Sequence, residues 1–123
     1  DRASLRHDLD RTAARLRELS PNSDSAAFSI ALAYLQAAEG SNDPEALRKA
    51  EAAVRRAMEL QPGQVLYRAR LADVLRRQGK SAEAAREAEV ALRQDDAITN
   101  PERKLPAEWR GKMEILSGRP AAP

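Results

Sequence analysis

A chain of 123 residues makes about one domain, enough to bury a modest core and too little for several. Charged residues reach 33% but leave a net charge of only +2, and aromatics are 3%. So small an excess gives weak long-range attraction for nucleic acid, and a composition so poor in aromatics starves a β-sheet. Absent cysteine excludes a disulfide framework and a thiolate zinc site.

From Asp1 to Leu19, the residues Leu5, Leu9, Thr12, Leu16 and Leu19 recur at steps of four and three. That spacing predicts a helix with one apolar stripe and charges on its other faces. Ser20-Pro21-Asn22 stops it, because proline cannot continue the hydrogen-bond ladder. Ser23 or Asp24 then caps a second helix running to about Glu39 and closed by Gly40. Within it, Ser25 to Ala38 carries no charge. Fourteen residues fall short of the roughly 20 a spanning helix needs, so this run reads as a buried helix. Asp43-Pro44-Glu45 starts a third helix, with a capping residue, a first-turn proline and an acid at the positive dipole end. It reaches Leu60 and stops at Gln61-Pro62-Gly63. A fourth spans about Gln64 to Gln78 and ends at Gly79. Ser81 is read as the cap of a fifth, which continues to about Gln94. After an irregular stretch from Asp95 to Leu105, Pro106 opens a short sixth helix with Trp109, Met113 and Leu116 on one face. The tail, 117–123, is expected to be disordered.

Two of these helices repeat one another. Residues 31–40, ALAYLQAAEG, align without a gap on residues 70–79, RLADVLRRQG. An alanine-rich helix follows each, with Ala46, Ala50, Ala53 and Ala57 in one and Ala84, Ala88 and Ala91 in the other. Such stripes let two helix backbones approach closely, with Leu32, Leu35, Leu71 and Leu75 filling the space between pairs. A period of this size signals stacked helical units.

On these residues the chain resembles the tetratricopeptide repeat family. Leu71, Ala72, Leu75, Gly79, Ala84, Ala88, Ala91 and Leu92 follow the family pattern in one unit, residues 65–98. Leu32, Ala33, Gly40, Ala50, Ala57, Leu60 and Pro62 follow it in the other, residues 23–64. That unit holds about four extra residues, read as one added turn in its second helix. Both units lack the family's tryptophan near the start of the first helix, so the repeats are degenerate, and other helical repeats of similar period fit the same spacing. Residues 1–22 resemble the second half of a preceding repeat, and 99–116 form a linker and capping helix in which Trp109 covers the apolar end of helix five. The implied fold is all-α, a right-handed solenoid of about six helices.

The residues that could carry chemistry do not assemble into a site. Gly79-Lys80-Ser81 resembles the end of a phosphate-binding loop, but the required first glycine falls at Val74, inside a helix. His7, the only histidine, lies off the leucine stripe, and Arg11 one turn on repels a cation. Asp95-Asp96 reads as helix-end punctuation rather than an acid/base pair. We therefore expect no catalytic residue, no metal and no cofactor. Arginines cluster around helix four without the stacking aromatics that single-stranded nucleic acid requires, so no nucleic-acid partner is expected, nor membrane insertion by this segment.

The resemblance implies a concave groove lined by the first helix of each unit. Matching positions places Ala27, Ile30, Tyr34 and Ala37 there from one unit and Leu66, Arg70, Asp73, Arg76 and Arg77 from the other. The implied partner is a protein or peptide segment with an apolar anchor and an acidic group, held by bidentate arginine. Family members that grip chaperone carboxylates use Lys and Asn where this chain has Ile30, Ala31, Tyr34 and Arg70, so that function is not implied. Alternatively, the Leu5, Leu9, Leu16, Leu19 stripe pairs with a second copy of the chain in a homodimer. A third alternative is a regulatory appendage of an enzyme whose catalytic domain lies outside this segment. The chain begins at Asp1 without methionine and is read as an excised domain or processed product. An excess of alanine and arginine, with only four lysines, points to a GC-rich bacterial source. The resemblance then implies a soluble module, cytoplasmic or periplasmic or tethered to a membrane protein, in envelope, secretion or polysaccharide machinery.

Overall fold

The structure is a computed structural model describing residues 2–119. Every regular element in it is helical: α1 (Arg2–Leu19), α2 (Asp24–Ala37), α3 (Pro44–Leu60), α4 (Val65–Arg77), α5 (Ser81–Ala97) and α6 (Ala107–Ser117), with a 3-10 turn at Pro101–Arg103. The chain divides into two compact units, Asp1–Gln61 and Pro62–Pro123. Among the described residues no helix is long and apolar enough to cross a membrane.

In the first unit α2 and α3 form the hairpin. The Ser23 hydroxyl accepts from the Ala26 amide and caps α2, supplying one orphan N–H with its partner. Ala46, Leu47, Ala50, Val54 and Ala57 make the buried stripe of α3. They meet Ala27, Ile30, Ala31, Tyr34 and Leu35 of α2. Leu32, expected to fill the core, is 37% exposed. The helix caps at Ala38 and Gln78 are one residue out of step with the ungapped sequence match, so Leu32 corresponds to Ala72, which the second unit buries in the cluster holding Trp109 and Met113.

In the second unit α4 and α5 form the corresponding hairpin. Its turn is tight: the Gly79 amide donates to Arg76 O and the Lys80 amide to Leu75 O, both at 2.9 Å. This is a Schellman closure, which needs the left-handed backbone seen at Gly79 (φ +83°). The hairpin of the first unit closes differently, through Gly40 (φ +81°) and Asn42 (φ +50°). Both second helices, α3 and α5, are 17 residues long. The extra residues of the first hairpin thus lie mainly in its turn, Glu39–Asp43, and not in a lengthened second helix. Asp43 stands at the cap position of α3 but makes no side-chain cap bond, its carboxylate accepting from Arg6 instead, and Pro44 opens the helix.

Two further boundaries differ from expectation. Ser81 is the first residue of α5, after Lys80 at the cap position, so its hydroxyl is no cap. α5 also runs on to Ala97, which places Asp95 and Asp96 inside its last turn. Of the expected tail, Ser117 closes α6, Gly118 is its left-handed cap (φ +74°), and the Arg119 amide donates to the Ser117 hydroxyl. Residues 120–123 lie outside the described ones.

Candidate interaction surfaces

Four of the expected groove residues belong to α2. Ala27, Ile30 and Tyr34 are buried and Ala37 is exposed. Tyr34 is only 1% exposed, so it cannot offer an aromatic anchor to a partner. Its phenol reaches α1 instead, where the hydroxyl donates to the Asp10 carboxylate. The second oxygen of Asp10 accepts from the Lys49 ammonium of α3 at 2.8 Å. Hydrogen bonds from Lys49 and then Tyr34 hold the Asp10 carboxyl below its ordinary value. Burial, with the bond to Asp10 second, pushes the Tyr34 phenol up to about 12. Arg6 adds ion pairs to Asp43 and, at 3.3 Å, to Glu45. Asp10 is therefore the hub that ties three helices together.

Polar ties matter here because α1 has little else. Ala13 is its single buried residue among those described, whereas Leu9 and Leu16 are half-buried. Leu5 and Leu19 are 69% and 71% exposed. The stripe singled out for self-association is thus largely open to solvent.

The remaining groove candidates belong to α4. Leu66 is partly buried against the apolar cluster of the second unit. The Arg70 guanidinium lies 4.3 Å from the Trp109 ring centroid, as does the Lys112 ammonium. Cations over an indole face are attracted by its quadrupole, and desolvation lowers the Arg70 pKa. Asp73 accepts from Arg76 at 2.8 and 3.1 Å. Arg77 is half-buried and Arg76 exposed. Of the arginines expected to clamp an acidic group, Arg70 is engaged with Trp109 and Arg76 with Asp73.

α6 is fixed on the hairpin by apolar contact and by one buried carboxylate. Trp109, Met113 and Leu105 join Val65, Ala69, Ala72, Ala88, Ala91 and Leu92 in one cluster. Asp95, 1% exposed, accepts from the Leu105 amide and from the Arg110 guanidinium, each at 2.7 Å. The Lys104 ammonium donates to the Asp95 carbonyl at 2.6 Å. Asp96 accepts from Arg110 and Arg119, both at 2.8 Å, and Arg119 also reaches Glu89 at 2.8 Å. These bonds lower the Asp96 and Glu89 pKa values and raise those of Arg110 and Arg119.

No protein-family model, curated protein or solved structure matches this chain. Any functional reading rests on its own residues.

Sequence reasoning missed Asp10 as a hub and Asp95 as a buried tie. Their partners lie 24 and 39 residues away for Asp10 and 10 and 15 away for Asp95. No local spacing marks such pairs. The only signal was an acid close to an apolar helix face. His7 is exposed, and among the described residues no three His, Asp or Glu side chains gather as a metal site would require.

Proposed function

We propose that this chain is a non-catalytic protein-interaction module built from two tetratricopeptide-like helical hairpins stacked as a solenoid. The observation that carries this reading is the recurrence within the two hairpins. Each has a 17-residue second helix with a buried alanine ladder and a glycine in left-handed conformation at its turn. A stack of such units gives an extended surface suited to a partner segment. With Tyr34 in the core, the expected groove position left exposed in the first unit is Ala37, and in the second unit it is the aligned Arg76, beside half-buried Arg77. The module's partner is a protein segment with an acidic group, within a larger bacterial envelope, secretion or polysaccharide assembly.

The test is affinity capture from native extract with wild type beside a folded Ala37→Glu/Arg76→Glu variant. A partner retained by wild type and released by the variant supports the module. An identical set of captured proteins contradicts it.

A second reading, self-association through α1, is favoured by the exposure of Leu5 and Leu19. Sedimentation over a concentration range separates the two, because only self-association raises the mass of the isolated chain.

A further inference from the structure

One crevice lies apart from the exposed positions proposed above, although Ala27 and Ile30 of the expected groove line it. It opens among α1, α2 and α3 within the first unit and has a volume of about 540 Å³. Pockets of this size accept small organic molecules. Its floor is made of methyl groups: Ala26 and Ala27 with Ile30 from α2, and Ala52 and Ala53 from α3. Around it stand three cations, Arg17, Lys49 and Arg56, and no carboxylate lines it.

The cations differ in how far they are committed. Lys49 is engaged with Asp10. Arg56 pairs with Glu59 at 3.3 Å and donates to Pro21 O at 3.1 Å. Arg17 is exposed and makes no ion pair among the described residues. An apolar floor beneath three cations, of which Arg17 alone has no carboxylate partner among the described residues, selects an anion with an apolar body.

The walls also say what kind of body. The α3 wall of the crevice, Lys49 to Arg56, is mid-helix and offers no free backbone groups, because amides and carbonyls there are bonded within the helix. At the mouth Ser23 Oγ is used by the Ala26 amide and Pro21 O by Arg56, which leaves the Ser20 hydroxyl as the one neutral polar side chain on offer. A peptide main chain entering here would leave its own amides without partners, at a cost. An alkyl chain has no such groups. We propose that this crevice binds a medium-chain alkyl carboxylate, with its chain on the alanine floor and its carboxylate on Arg17 and Arg56. This site is independent of the interaction surface proposed above.

The probe is sodium octanoate, titrated into the full chain below its micelle concentration and followed by amide chemical shifts. Octyltrimethylammonium serves as the same chain with opposite charge, and an acetylated acidic pentapeptide as the peptide arm. We expect saturable one-site shifts centred on Ala26, Ala27, Ile30, Ala52 and Ala53. Affinity should fall at least about tenfold in Arg17→Glu, an exposed and unpaired position that leaves the fold intact. It should fall further with added salt and be lost in Ala53→Phe, which fills the floor while keeping every charge. Three results would overturn the proposal: unsaturable shifts scattered over the surface, equal binding of the cationic amphiphile, or an affinity unmoved by both substitutions. Binding of the peptide without octanoate would also overturn it and reassign the crevice to a protein partner.

Discussion

The two units solve the same problem with different chemistry. Each packs a third helix against an alanine-laddered hairpin. In the second unit α6 brings Trp109 and Met113 into one apolar cluster and closes over the buried Asp95. In the first, α1 fully buries only Ala13 among its described residues, half-buries Leu9 and Leu16, and is tied through Asp10, Tyr34, Lys49 and Arg6. Apolar burial is non-directional, is not weakened by ionic screening and has no proton to lose. Half-exposed ion pairs are screened and depend on protonation. The account therefore makes α6 a permanent part of its unit and α1 a conditional one.

The largest effect should come from removing the apolar anchor. Trp109→Ala should cost about 3–5 kcal/mol, the usual range for deleting a buried aromatic. Urea unfolding followed by circular dichroism checks it, and a loss under about 1 kcal/mol would place the anchoring of α6 elsewhere. Next comes Asp95→Ala, which leaves the Leu105 amide and the Arg110 guanidinium without their shared acceptor. Breaking a buried pair from one side costs about 3 kcal/mol. Asp95→Asn keeps an acceptor for Leu105 and should cost less. Fluorescence of Trp109, the only tryptophan, reports both directly within the second unit.

The first unit should respond to pH instead. An unfolded tyrosine ionises near 10, whereas folded Tyr34 keeps its proton up to about 12. Between those values the unfolded state binds fewer protons, so stability falls as pH rises. The loss should approach about 3 kcal/mol. Tyr34→Phe removes this dependence, so the two proteins should diverge in urea titrations at neutral pH and converge at high pH. Parallel curves would show that Tyr34 does not carry the effect. The smallest change is expected from Leu5→Glu/Leu19→Glu. Both positions are exposed, so stability should stay within about 0.5 kcal/mol while any concentration-dependent mass disappears from sedimentation.

The same contrast explains what could be read in advance. Helix existence and type were legible because proline, glycine and capping residues punctuate apolar stripes with a helical period. Trp109 as a cover for α5 was legible because it shares a face with Met113 beside an alanine ladder needing a lid. The α1 stripe was legible as a face, but leucine spacing does not say whether anything covers it. Tyr34 misled for a related reason. Its position matched a groove site by homology of pattern, while its hydroxyl was committed to Asp10, 24 residues earlier. The turn at Gly40 was read correctly as a stop, but the added length was assigned to α3, since counting residues cannot tell a longer loop from a longer helix.

The most direct test of the contrast is native-state hydrogen exchange along the intact chain near neutral pH, at low and high salt. The account predicts that α1 amides open as a group at a lower free energy than α2 and α3, and lower still at high salt, while α6 exchanges together with α4 and α5. If α1 instead exchanges only with the global unfolding of its unit, or α6 opens first, the division into a conditionally and a permanently docked helix is wrong.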